Sequence, residues 1–301
     1  MRCTRFFSWR KNAYGVRCLS RVRIIILIKW ILVLLLSTSS CFAQVSVPKR
    51  IVSLSLCTDQ LLLMLAPRQH IASLTRGAVD PNLSYMVAEA NGFLLTGGNI
   101  EEVLPLNPDL IVGSAFASRD AIRFLRQLGY PVKLIGLPAS IAEIRDLVLV
   151  FGEWVGFPER AEQVVRNMDW QLARLSKQHA AVKKTALIYS PNGYTMGSGT
   201  LENAMLNAAG FYNLAVDMGV VGFEQMTLEQ LVAAQPEFLF IEKYVDNPDS
   251  LASQYVDHPV LDNMPLSKKR SFIPSQLRTC AGPMVVEAIN YLSEKRYESE
   301  P

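Results

Sequence analysis

The sequence predicts an α/β protein of two similar lobes, each with a mostly parallel sheet, joined by one long helix. Three observations carry this expectation: a duplicated segment, a recurring order of strand, polar turn and helix, and an unbroken helical stretch between the two copies. The duplicated segments are residues 100–112 and 228–240, which align without a gap at an offset of 128. Each reads as a short amphipathic helix led by a glutamate (Glu101, Glu229) and stopped by a proline (Pro108, Pro236). An acidic residue (Asp109, Glu237) then introduces an apolar strand. Two copies of one lobe design would repeat that whole order.

Residues 1–43 read as a secretory signal. Arg2, Arg5, Arg10, Lys11, Arg17, Arg21 and Arg23 come without an acid, and an apolar run over 24–36 is broken only by Lys29. Small residues then lead to a cleavage site after Cys41-Phe42-Ala43. The run falls short of the roughly 20 residues of a spanning helix, so export to the periplasm is expected. A lipid anchor on Cys41 is the lesser alternative, because Thr38 stands where a large aliphatic residue is expected. The leader holds 8 of the 30 Lys and Arg and none of the 27 acids, which leaves 22 bases against 27 acids, a formal −5. A mildly acidic chain without a basic cluster is a poor nucleic-acid binder.

The remaining chain is long enough for two lobes with separate cores. The first lobe is assigned to 44–156. It opens with a β-rich run at 50–55, then Thr58-Asp59 and an apolar helix over 60–65. Further strands are expected at 71–74, 110–113 and 132–135, with a helix over 118–128 before the last. Parallel neighbours need such crossover connections. Ser140-Ile141-Ala142-Glu143 is a capping box that opens another helix, ending near Gly156. Pro158 then stands in the first turn of a connecting helix, assigned to 157–182, with apolar residues at helical spacing to about His179. Trp154 and Trp170 on these helices are assigned to packing. The second lobe, 183–301, starts with a strand at 184–189 and a glycine-rich turn over 190–200. That turn has neither a full G-x-G-x-x-G nor a P-loop lysine, so nucleotide binding is not expected.

These features together resemble the substrate-binding proteins of ABC importers for cobalamin and ferric siderophores. The resemblance rests on the exported leader, Arg50-Ile51-Val52-Ser53-Leu54, Asn99-Ile100-Glu101 before Leu106-Asn107-Pro108-Asp109-Leu110, the central helix, and Gly282-Pro283 before a final helix. It covers residues 48–295. It implies two Rossmann-like lobes on one connecting helix, with the ligand in the cleft between them. It also implies that Glu101 and Glu229, one per lobe, dock with arginines of a membrane permease, where two separated carboxylates orient the protein over a twofold partner. The partners so implied are the permease with its ATPase and a small corrinoid or metal chelate, the protein acting as a monomer. Any cobalt or iron belongs to the ligand, and no intrinsic cofactor is expected.

Parallel sheets bind ligands at the carboxyl ends of their strands. That nominates Ser55, Leu56, Cys57, Thr58, Ser114 and Phe116 in the first lobe, and Asn192, Tyr194, Phe223, Lys243, Tyr244, Arg278 and Cys280 in the second. Arg278 could grip the negative charge of a ferric chelate. Cys57 and Cys280 have three readings: a disulfide favoured by an oxidising compartment, two unrelated buried thiols, or thiols on a ligand's metal. His70, His179 and His258 are scattered without ligand spacing, so no metal centre is expected. Catalysis is not expected either. An exported hydrolase with Cys57 or Ser55 as nucleophile, His70 or His258 as base and Asp59 as orienter lacks any motif in support. A membrane-tethered sensory domain remains the other alternative if the leader is retained.

Overall fold

Short apolar runs form the strands, because a strand covered on both faces needs only a few consecutive buried residues. The computed structural model describes residues 47–115, 117–177, 183–242, 251–262, 264 and 270–298. The leader read at 1–43 lies outside them, as do Phe116, His179, Lys243 and Tyr244. No helix among the described residues is long and apolar enough to cross a membrane.

The first lobe comprises β1 (Ile51–Ser53), α1 (Leu56–Leu65), β2 (Ile71–Thr75), α2 (Val87–Ala90), β3 (Leu95–Thr96), α3 (Ile100–Val103), β4 (Leu110–Ser114), α4 (Arg119–Gln127) and β5 (Val132–Ile135). Its five strands run parallel in the order β3-β2-β1-β4-β5. Two helices follow, α5 (Ile141–Val155) and α6 (Pro158–Ser176). The second lobe comprises β6 (Lys184–Ser190), β7 (Tyr194–Met196), α7 (Leu201–Ala208), β8 (Phe211–Asn213), α8 (Leu214–Asp217), β9 (Phe223–Gln225), α9 (Leu228–Ala234), β10 (Phe238–Glu242), β11 (Arg270–Ile273) and α10 (Val285–Tyr297). Here β8 and β10 pair with β6 in parallel and β11 with β10, whereas β7 and β9 add an antiparallel ribbon. The expected glycine-rich loop thus contains a strand. Gly197 is required beside it, since a Cβ there would lie 2.0 Å from the Val220 carbonyl oxygen.

The duplication has a structural cause. At the 128-residue offset, β4 and β10 have the same bounds, and Asn107 and Gln235 both take left-handed backbone (φ 43° and 45°) ahead of their prolines. Asp109 then accepts hydrogen bonds from the amides of Lys49 and Arg50 (2.7 and 2.9 Å), at the start of β1. Glu237 does the same for Thr185 at the start of β6 (2.7 Å). The repeated acid clamps the first strand of each lobe.

The expectation of separate cores is not met. Along β6 and β10, Ala186, Ile188, Phe238 and Phe240 join a cluster with Ile51, Leu110 and Val112 of the first lobe, through residues of α1, α5, α6, α7 and α10. The alternating residues Leu187, Tyr189, Leu239 and Ile241 face an outer cluster of the second lobe, and Val52 and Ile111 face that of the first. Period-2 alternation therefore sends one face of each sheet into a common core. The helices between the sheets approach closely: Gly152 of α5 meets Ala161 of α6, where any side chain would collide, and Arg145 pairs with Asp169 at 2.5 Å. Ser140 caps α5 as expected, and the Glu143 carboxylate accepts from the Ser140 hydroxyl (3.2 Å) and from the amide of Ala139 (3.0 Å), not from the amide of the cap residue itself. The connecting helix α6 ends at Ser176. Trp154 packs on Phe151, but Trp170 does not pack inward: it is 57% exposed and carries the Arg174 guanidinium over its ring.

Candidate functional site

In a parallel sheet, two neighbouring strands whose connections leave in opposite directions create an opening at their carboxyl ends. The first sheet has this switch between β1 and β4, and the second between β6 and β10. At the first opening, Ser55 caps α1 and shares a hydroxyl cluster with Ser53 and Thr58. Thr58 is fully buried, so it shapes the turn and does not face a cleft. Leu56 is half-buried on the same turn, and Ser114 closes β4 with 5% of its surface exposed. Beneath them, the Asp59 carboxylate accepts from the amide and hydroxyl of Thr75 (3.0 and 2.5 Å). Burial lifts its pKa to about 6 despite these bonds.

The second opening is built differently. Where the first lobe has Ser114, the aligned residue is Glu242, which is fully buried and meets the Arg278 guanidinium at 3.0 Å. Ser190, the last residue of β6, donates its hydroxyl to the other carboxylate oxygen of Glu242. Burial raises the Glu242 pKa to about 7, with Arg278 and Ser190 opposing the shift and Glu202 adding to it. Burial likewise raises Glu202. Arg278 is therefore turned into the lobe against Glu242, with 7% of its side chain exposed, and does not stand open to grip an anion.

The two openings are brought together by contacts between lobes. Cys57, in the first turn of α1, and Cys280, in the turn before α10, form a disulfide with Cα atoms 5.2 Å apart. The Gln60 amide points at the Cys280 sulfur (3.6 Å), and Gln276 donates to the Pro81 carbonyl (2.5 Å). Tyr85 of the first lobe is raised in pKa by burial and then by Glu287 of α10 and Glu89. Of the aromatic nominees, Tyr194 and Phe223 are 40% and 56% exposed on the antiparallel ribbon. Asn192 sits apart from the bridge, in a crevice with Tyr255, His258 and Glu229.

The two nominated docking glutamates are both exposed. Glu101 has a neighbour that sequence reasoning did not separate from it: Glu102 turns inward, accepts from the Gly97 amide and pairs with Arg76 at 2.6 Å. The Gly97 amide and then Arg76 hold its carboxyl below the ordinary range. Glu101 is left exposed, whereas Glu229, also exposed, lines the crevice with His258, and backbone and Thr227 hydrogen bonds lower its pKa. Pairing within the buried Ser190-Glu242-Arg278 group had no signal in the sequence, beyond a charged residue ending an apolar strand.

Both halves of the chain open at their strand ends, while His70 is turned to the Pro48 carbonyl and His258 accepts from the Val260 amide. No cluster of three metal-ligating side chains occurs among the described residues. Such an arrangement belongs to two-lobe proteins that hold a small molecule between their sheets. Comparison with known proteins agrees: residues 51–273 match the model of the periplasmic binding protein family, and the chain belongs to that family. A Bacillus subtilis protein described as an uncharacterized ABC transporter substrate-binding lipoprotein, YvrC, is 27% identical over 83% of this chain and 80% of its own length. The vitamin B12-binding protein of Salmonella typhimurium is 29% identical, over 48% of this chain and 55% of its own length. Among solved structures, the apo periplasmic heme-binding protein RhuT of Roseiflexus shares the fold, with a TM-score of 0.67 at 21% identity, covering 83% of this chain and 98% of that one.

Proposed function

We propose that the protein is the solute-capturing component of an ABC importer, which holds a corrinoid or a ferric chelate between its lobes and hands it to a membrane permease. The observation that carries this reading is the pair of strand-end openings, one per sheet, joined through Cys57 and Cys280 in a chain of the periplasmic binding protein family. The relative that binds vitamin B12 supports a large metal macrocycle as ligand. Because the Arg278 guanidinium is buried against Glu242, a corrinoid of little net charge suits the site better than an anionic siderophore complex. The exposed rings of Tyr194 and Phe223 supply apolar area against such a ring system, and Ser55 adds a hydroxyl at the first opening.

Capture of this kind requires no catalytic step. Glu101 and Glu229 meet cationic side chains of the permease, whose ATPase drives release, and the protein acts as a monomer in the periplasm or tethered to the membrane. The test is an absorbance titration of the folded protein with cyanocobalamin, hemin and a ferric hydroxamate siderophore. Cyanocobalamin is expected to bind tightest. Preference for the ferric siderophore would overturn the assignment of Arg278 as buried away from the ligand, and binding of none of the three would refute the ligand class.

A further inference from the structure

The Cys57–Cys280 bridge ties together two strand-end turns, one from each lobe, and its two sulfurs have different surroundings. Cys57 is partly exposed, whereas Cys280 is 4% exposed. Gln60, one turn beyond Cys57 on α1 and fully buried, aims its amide at the Cys280 sulfur from 3.6 Å. The carbonyl oxygen of the same side chain is buried with no partner among the described residues. A buried acceptor left unpaired is costly. A disulfide sulfur accepts weakly and has no proton to give. The thiolate of a reduced Cys280 would accept more strongly from the Gln60 amide, and its thiol would donate to the Gln60 oxygen after an amide flip. Gln60 therefore serves a reduced Cys280 better than a bridged one. Cys57 has the complementary setting: it stands in the first turn of the ten-residue helix α1, whose unpaired amides stabilise a thiolate. Asp59, the acid of that turn, is engaged by the amide and hydroxyl of Thr75.

We propose that the bridge is a site of thiol–disulfide exchange: a dithiol opens it through Cys57, and opening lets the two strand-end turns separate and release solute. A thiolate of the dithiol attacks the accessible Cys57 sulfur, and the S–S bond breaks towards Cys280. The Cys280 thiolate leaves beside the Gln60 amide and then takes up a proton. The second sulfur of the dithiol attacks its partner sulfur in the mixed disulfide and expels Cys57 as a thiolate, which is protonated in turn. Two electrons and two protons pass to the bridge, and the dithiol becomes a disulfide. The lobes stay together after opening, held by their common core and by the Gln276 hydrogen bond to the Pro81 carbonyl. The consequence for solute rests on the capture function proposed above; the exchange itself does not.

The experiment uses oxidised residues 46–301, which form a compact unit of their own. Glutathione followed by acid quenching and peptide mapping is expected to trap the mixed disulfide on Cys57; trapping on Cys280 would overturn the proposal. Dithiothreitol followed by alkylation and intact mass should show both thiols in protein whose circular dichroism is unchanged. A bridge that opens only in urea would also overturn it, in favour of a purely structural cross-link. Gln60→Leu should slow opening on the order of 10-fold, by removing the donor to the leaving sulfur. In a Cys57→Ser background the same change should move the Cys280 thiol titration, followed by thiolate absorbance, to higher pH. Equal rates and equal titrations would refute the role of Gln60. Opening should raise hydrogen exchange in the turns around Cys57 and Cys280 on the order of 10-fold, and unchanged exchange in both would refute the unlocking. Cyanocobalamin should leave Cys57→Ser with Cys280→Ser on the order of 10-fold faster than it leaves the oxidised protein; equal rates would refute the coupling to release. Failure of cyanocobalamin to bind either form would count against the ligand class proposed above and not against the exchange, which is read without solute.

Discussion

Replacing Cys57 and Cys280 together by serine removes a cross-link between residues 223 positions apart. In the chain-entropy description, closing a loop of that length in the unfolded state stabilises the fold by about 5 kcal/mol. The native state should change little: Cys280 is 4% exposed, and the Gln60 amide that points at its sulfur can donate to a serine hydroxyl instead. Five kcal/mol is comparable to the whole stability of many domains, roughly 5–15 kcal/mol. The assay is urea unfolding followed by circular dichroism, comparing the oxidised protein, the same protein with a phosphine reductant, and the double serine variant. With a urea dependence of about 2–3 kcal/mol per molar, the midpoint should fall by about 2 M in both the reduced and the variant samples. Strain or residual structure in the unfolded chain would reduce the shift. Identical midpoints in all three samples would refute the reasoning, since the covalent link between the lobes would then not constrain the unfolded chain.

Two further outcomes are expected. Glu101→Ala with Glu229→Ala should abolish delivery to permease-containing vesicles while leaving solute affinity within about 2-fold, because both carboxylates are exposed and apart from the bridged openings; unimpaired delivery would remove their docking role. The second concerns pH. Glu242 has a folded-state pKa near 7 against an ordinary 4.5, so between those values the folded state holds a proton that the unfolded state has lost. Its contribution to stability is thus complete below about pH 4.5 and declines as pH rises to about 7. Asp59 acts in the same sense between 3.8 and about 6. Urea midpoints measured from pH 5 to 8 should fall more steeply for the native protein than for Glu242→Gln, whatever their absolute values; parallel profiles would contradict the assignment.

Much of the fold was legible because its signals are local. Pro108 and Pro236 stop their helices wherever the chain places them, and the preceding residues turn left-handed in both copies. Ser118 caps α4 and Ser140 caps α5 through amides three residues on. The candidate site was less legible. Glu101 and Glu102 are adjacent acids in one short helix, and only the position of Gly97 and Arg76, up to 26 residues away, turns one inward and leaves the other outward. Thr58 carried the same hydroxyl as Ser55, yet packing buries the first and leaves the second half-exposed.

The amino-acid sequence alone determined two α/β lobes, the helices between them and the repeated glutamate-led segment, since periodicity, caps and breakers act within a few residues. Tertiary structure decided that the lobes share one core, that Cys57 meets Cys280, and that Glu242 meets Arg278 where the first lobe has only Ser114. Those outcomes depend on which side chains arrive at the same place from tens to hundreds of residues apart. Local preference does not encode that, because contact energy is set by burial and distance after the sheets have packed.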